Sequence, residues 1–368
     1  MSQAKAEQSD PRGRVLHVGL VAGPESLANL GPVVRHLVVG LLDEPMSMTL
    51  VHPANTSVPH LPVPPVRDVG YALPRVPFVH RDPFRPICEA LARSRPDLLH
   101  ALDTDAVSLT RHLAADLDIP YVVNVMGMER PFRLSDPRCR MVLAGSEPIR
   151  EALLESRAAP TGTIALLRPG IHRARHTTCF MDPAHSPAIV AAGPLRHVEP
   201  FAAAMEAFAR LQAAQKDCVF FLVGNGRAEH ALRRMAERLH LMHSLTFVDQ
   251  QEPEQLKAIL HGADLFIWPT PVERIQIDVL TAMSAGVPVL TPPMPAADFI
   301  IPDRTALIFE PNNADDLAAK LTGLLDDRAG ARELAQNALA LLKENHSPAD
   351  MANQLADFYD ATLGATVP

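Results

Sequence analysis

The chain has 368 residues, about two domains at roughly 150 residues each, and its 47% hydrophobic and 21% charged residues exclude a wholly disordered protein. No stretch approaches the ~18–20 apolar residues of a membrane span, and the polar start MSQAKAEQSDPRGRV lacks the apolar region of a signal peptide. Residues 1–14 are therefore expected to be a disordered tail, the protein cytoplasmic and without an integral membrane segment.

The net charge of −8 is uneven: residues 1–175 carry 20 Lys+Arg against 18 Asp+Glu, and the rest 14 against 24. An acidic second half speaks against nonspecific nucleic-acid binding, which needs cations for the phosphates. Cys88, Cys139, Cys179 and Cys218 form no CxxC, and the 16 histidines form no HExxH. Neither a metal site nor a cofactor is expected.

In chain order, Val15–Val21 is an apolar run ended by Gly23-Pro24, hence a buried strand. Pro32–Leu42 has helical spacing, with Pro32 suited to a first turn. Met48–His52 reads as a strand. Nine of the 35 prolines lie between Pro53 and Pro86, so that segment is not helical; it reads as an irregular excursion with one short edge strand. Asp97–His100, a helix near Ala106–Leu117 and Pro120–Val125 make a strand–helix–strand unit. Met141–Ala144 reads as a strand and Glu147–Glu155 as a helix.

The second half repeats the scheme. Strands are expected at Ile189–Ala192, Cys218–Val223, Leu245–Val248, Leu265–Trp268 and Val287–Leu290. Helices alternate with them at Pro200–Gln212, Ala228–Leu239, Glu254–Leu260, Gln276–Ser284 and Ala314–Leu325, the last capped by Asn313. Repeated βαβ units imply parallel sheets covered on both faces. The reading is α/β: two doubly wound Rossmann-type domains facing a cleft, residues 15–175 and 176–345, with a last helix in 346–368 completing the first domain. Ligands of such domains sit at the carboxyl ends of the strands.

The stretch Glu273–Pro311, ERIQIDVLTAMSAGVPVLTPPMPAADFIIPDRTALIFEP, resembles the C-terminal half of the GT-B-fold, retaining glycosyltransferases of family 4, where a Glu, seven residues and a second Glu precede AMAxGxPVV. Collinear segments agree: PDLLHALDTDAVSLTRHLAADLDIPYVVNVMG, LAGSEPIREALL, LLRPGIH, FFLVGNGRAEHALRRMAERLHLMHSLTFVD and the closing HSPADMANQLADFYDATL. The resemblance implies sugar transfer from a nucleotide-sugar to an acceptor that the sequence does not name. It also implies a last helix that crosses back to the N-terminal domain. The chemistry needs donors for the departing diphosphate, holders for the sugar hydroxyls and a polar group near the anomeric carbon.

Against that pattern the donor-site motif is eroded. The phosphate-holding Arg of the family corresponds to Pro194, its Lys to Glu199, its sugar-reaching His to Met126 and its second Glu to Thr281. Glu273 keeps the first Glu, followed by Arg274-Ile275-Gln276. At an effective dielectric of ~20 a unit charge opposed at ~4 Å is worth about 4 kcal/mol, so a carboxylate at Glu199 works strongly against a diphosphate. The candidate donor-binding residues are Glu273, Thr281, Arg196 and Arg274, the two arginines as substitute cations, and Gly31, where Asn29-Leu30-Gly31 stands at the family's N-terminal glycine-rich loop. Glu273 reads either as a sugar-hydroxyl acceptor or as a negative charge at a helix start. Thr281 reads as a ribose partner or as packing, and Asp103 and Asp105 as acid/base groups or as helix-start carboxylates. No catalytic residue is assigned. Glu273, Thr281, Pro194, Glu199 and Met126 are all expected to face the gap between the domains. Two functions remain: an active transferase with an altered donor site, or an inactive binding or scaffolding protein with a protein partner.

Overall fold

The structure is a computed structural model and describes residues 15–41, 44–54, 66–72, 84–128, 135–182, 184–249 and 253–364. The expected tail and part of the proline-rich excursion lie outside the described residues. Among the described residues the first sheet has the strands β1 (Leu16–Val21), β2 (Met46–Pro53), β3 (Val66–Tyr71), β4 (Leu98–Ala101), β5 (Tyr121–Val125), β6 (Cys139–Ala144) and β7 (Ile164–Leu166), in the order β3-β2-β1-β4-β5-β6-β7. The second has β8 (Ala188–Ala192), β9 (Val219–Val223), β10 (Leu245–Val248), β11 (Leu265–Ile267), β12 (Val289–Thr291) and β13 (Leu307–Ile308), in the order β10-β9-β8-β11-β12-β13. All of these pairings are parallel. The chain order reverses between β1 and β4 and again between β8 and β11, which places the crevices of the two domains at the carboxyl ends of those pairs.

The first sheet is flanked by α1 (Pro24–Leu41), α2 (Arg85–Ser94), α3 (Val107–Leu117) and α4 (Glu147–Glu155). The second carries α5 (Glu199–Ala213), α6 (Glu229–Arg238), α7 (Pro253–Leu260), α8 (Ile277–Ser284), α9 (Ala314–Asp326) and α10 (Arg328–Asn345). The central strands β4 and β8 are buried along their whole length, as strands covered on both faces must be. Asn313 caps α9, its Oδ1 accepting from Asp315 N and Asp316 N at 3.0 Å.

Helix α1 begins eight residues earlier than the sequence pattern suggests. Pro24 takes the first-turn position, Pro32 lies inside the helix, and Asn29-Leu30-Gly31 is helix rather than loop, with Gly31 buried. The last helix, α11 (Pro348–Gly364), packs on α1. There Gly40 makes room for Ala352, since a Cβ on Gly40 would stand 2.6 Å from the Ala352 Cβ. Tyr359 is fully buried and its hydroxyl is hydrogen-bonded to His100 Nδ1 of β4 at 2.7 Å. One apolar cluster runs without a break from β1, α1 and α11 to Trp268, Ile275 and α8 of the second unit. Among the described residues no helix is long and apolar enough to cross a membrane.

Candidate functional site

The carboxyl ends of the two sheets meet in a seam built from both sides. The turn after β5 pairs with the loop before α8: Ile275 N donates to Met126 O and Met128 N to Glu273 O, each at 2.8 Å, around an antiparallel bridge of Gly127 with Arg274. Gly127 is required there, because a Cβ would lie 2.8 Å from the Arg274 Cβ. Asn29 of α1 grips the same loop at two points. Its Nδ2 donates to Ile275 O at 2.9 Å, and its Oδ1 accepts from Ile277 N at 3.1 Å, capping α8 from the other unit.

The Arg274 guanidinium crosses the seam. It pairs with Asp103, which is 1% exposed, and reaches Glu25 at 3.6 Å. Asp103 Oδ1 accepts from Thr104 N at 2.7 Å and from Met126 N at 3.2 Å. Burial raises the Asp103 carboxyl to about 6, against the lowering pull of Arg274 and of these amides. Asp105 fills the N-terminus of α1, where its Oδ2 accepts from Glu25 N at 2.8 Å and Ser26 N at 3.0 Å. Further along, Ser146 Oγ donates to Ala296 O at 2.6 Å, and Asp298 accepts from Glu147 N at 3.2 Å and pairs with Arg168 at 2.8 Å. The N-terminus of α4 is thus met by a carboxylate from the other unit.

On the opposite wall, the loops after β8 and β9 cross in contact. Gly193, Gly224 and Gly226 have φ of 145°, 145° and 150°, and a Cβ on Gly224 would stand 2.1 Å from Gly193 O; only glycine allows this approach. Pro194, Arg196 and His197 are exposed on the first loop, and Glu199 is exposed at the start of α5. Arg227 on the second, also exposed, donates from Nε to Arg196 O at 3.0 Å. The buried Trp268, at the end of β11, lies against Gly193.

The sequence-derived candidates divide. Glu273, Pro194, Glu199 and Arg196 are exposed at the carboxyl ends of the second sheet. Glu273 has no side-chain partner among the described residues. Three expectations are corrected, at Thr281, Met126 and Gly31. Thr281 is 4% exposed and donates Oγ1 back to Ile277 O at 2.7 Å, so it packs within α8 and does not open onto the gap. Met126 is 3% exposed and its side chain lies beside Ile275 at Gly145, so the gap is closed to it. Beneath it is a cavity of about 20 Å³, lined by α1, Leu102, Asn124, Leu167 and Met351. Gly31, inside α1, presents no loop backbone to a ligand. Arg274 is in place near Glu273 but is bound to Asp103 and Glu25. Asp103 and Asp105 both prove to be helix-start carboxylates.

Sequence reasoning passed over Asn29 as a clamp, Asp298 as a cap, and Arg227. It also passed over Asp278 of α8, a half-buried carboxyl without a hydrogen-bond partner among the described residues, which burial raises to about 6. Among the described residues no group of His, Cys, Asp and Glu could hold a metal ion.

Comparison with known proteins places this geometry. Residues 183–340 match the family "Glycosyl transferases group 1". The chain is 24% identical over 284 residues to the glycogen synthase of Mycobacterium tuberculosis, covering 72% of this chain and 69% of that protein. Among solved structures it resembles the sucrose-phosphate synthase of Thermosynechococcus elongatus (TM-score 0.75, 17% identity, 95% of this chain and 100% of that one). It also resembles Anabaena HepE in complex with UDP-glucose (TM-score 0.71, 14% identity, 94% of this chain and 100% of that one). Residues 183–340 therefore match the group 1 glycosyl transferases, within a chain whose described residues have the two-domain α/β GT-B fold.

Proposed function

We propose that this chain is a glycosyltransferase-type protein of the retaining family 4 pattern whose donor site has eroded, and that it acts as a catalytically inactive binding or scaffolding protein in the cytoplasm. Its two domains are residues 15–175, completed by 346–368, and 176–345. Anabaena HepE, which shares this fold, is solved with UDP and with UDP-glucose, which supports a nucleotide-sugar as the ligand class from which the cleft derives. A reducing compartment fits cysteines that form no disulfide among the described residues. The observation that carries the reading is the charge at the donor wall. Pro194 offers no donor, Glu199 adds an anion, and Arg274 is held by Asp103 and Glu25. A diphosphate needs fixed cations or amides where its charge develops.

Calorimetric titration with UDP, GDP and ADP tests this at neutral pH. The expected result is no binding below millimolar concentration, with or without a divalent metal. A micromolar Kd for any of the three overturns the reading.

A second reading, an active transferase with relocated cations, has one observation in its favour. Arg196 and Arg227 are exposed on adjoining loops at the carboxyl edge, and Arg196 has no ion-pair partner among the described residues. Under that reading a micromolar Kd appears and is lost in Arg196→Ala and Arg227→Ala. The acceptor and any protein partner would then be sought with the active protein.

A further inference from the structure

We infer that Arg274 is an autoinhibitory bolt, fixing the two domains in one arrangement and keeping the cation nearest Glu273 away from any anionic ligand. The inference borrows from the proposed function only the statement that the cleft faces an anionic donor. The bolt itself rests on geometry.

The Arg274 side chain is 14% exposed and belongs to the loop before α8, whereas both acids that hold it, Asp103 and Glu25, belong to the N-terminal unit. Asp103 is in turn fixed by the amides of Thr104 and Met126, so the acceptor cannot follow the guanidinium if the domains part. Separation would leave an almost fully buried carboxylate without its counter-ion, which is strongly unfavourable. The same movement would break the Gly127–Arg274 bridge and both hydrogen bonds of Asn29. It would also split an apolar cluster that is continuous across the seam. Among the described residues the charged groups that face Arg274 are Asp103, Asp105 and Glu25, all acidic. Release of Arg274 therefore requires that its acids be neutralised. Once released from both acids, the guanidinium is free of the N-terminal unit and belongs to the same loop as the exposed Glu273.

Two measurements test this. For the bolt, spin labels are placed at Asp116→Cys and Glu333→Cys, exposed positions on the two units, in a Cys139→Ser background because the other three cysteines are buried. The expected result is one narrow distance distribution, unchanged by UDP or by salt, since a buried pair is little screened. Arg274→Ala is expected to broaden it. Because that change strands Asp103, the neutral pair Asp103→Asn with Arg274→Met is measured as well; it melts cooperatively and shows the same broadening. A distribution as narrow as the parent's in the neutral pair overturns the bolt.

For the autoinhibition, Asp103→Asn with Glu25→Gln releases Arg274. The expected result is at least tenfold tighter binding of inorganic pyrophosphate than the parent shows, abolished by adding Arg274→Ala. No gain overturns the autoinhibition while leaving the proposed function standing. Micromolar UDP binding by the parent overturns the proposed function while leaving the distance result standing.

Discussion

Gly23 lies so close to Asp105 that a Cβ on it would stand 2.2 Å from Asp105 Oδ2, and the same oxygen accepts from Glu25 N and Ser26 N. The chain's own carboxylate thus occupies the N-terminus of α1, at the point where the strand order of the first sheet reverses. The anion site that the topology creates is filled from within. Ser26 completes the turn, its Oγ accepting from Gly23 N at 2.7 Å.

Two substitutions probe this contact. Asp105→Ala removes a capping acceptor, and a lost cap costs about 0.5–2 kcal/mol. Gly23→Ala drives a methyl into the carboxylate and is expected to cost about 1–3 kcal/mol as an overpacked site. The diagnostic is their combination. In Gly23→Ala with Asp105→Ala the methyl no longer meets an acid, so the double variant should be more stable in urea than the two single losses add up to. Strict additivity would mean that the two residues do not interact.

Stability should fall on acidification below pH 6.5. Burial lowers His36 and His100 to about 4, and lowers His17 and His346 as well. Between pH 6.5 and about 4 the unfolded chain therefore binds protons at His36 and His100 that the folded chain does not, His17 and His346 act in the same direction, and stability is lost as pH drops. Asp103 and Asp278, each raised to about 6, act the other way. From about 6 down to 3.8 the folded chain holds the extra protons, and these carboxyls regain stability as pH falls. His36 and His100 move from 6.5 to about 4, Asp103 and Asp278 from 3.8 to about 6, and with His17 and His346 adding to the histidine side the net slope is a loss. Asp278→Asn removes one opposing contribution. It should raise the melting temperature at pH 8, where the half-buried carboxyl is fully charged, and steepen the loss between pH 6 and 4. Melting curves across that range decide the matter; a lower melting temperature at pH 8 with an unchanged slope would sink this account of Asp278.

What was legible in the sequence follows from range. The βαβ series, the helix Glu147–Glu155 and the Asn313 cap rest on neighbours a few residues apart, and the structure has them within a residue or two. The start of α1 was misplaced because Pro24 and Pro32 suit a first turn equally well. Only Asp105, about 80 residues on, supplies the acceptor that begins the helix at Pro24. The seam was the least legible part. Asp103 and Arg274 are 171 residues apart, Asn29 and Ile277 248. Nothing local signals that an Arg after a Glu pairs with an acid in another domain. Met126 fell at the expected turn, yet Ile275 covers it, and that depends on how closely the two units dock.

Restoring the family's cations tests whether charge alone separates this cleft from a donor site. Pro194→Arg supplies a guanidinium on the exposed loop after β8, and Glu199→Lys reverses the charge in the first turn of α5. Both positions are exposed, so neither change should disturb the core, and Pro194 gives up no hydrogen bond through its own amide. The double variant is expected to gain at least tenfold in affinity for UDP over the parent, with the gain shrinking as salt rises because exposed charges are screened. Arg274 should add nothing to this gain while Asp103 and Glu25 hold it, so Arg274→Ala on the same background should leave the affinity unchanged. Calorimetry at two ionic strengths reads both quantities. A folded double variant with no gain would mean that the buried Thr281 and the covered Met126 have closed the pocket in shape as well as in charge.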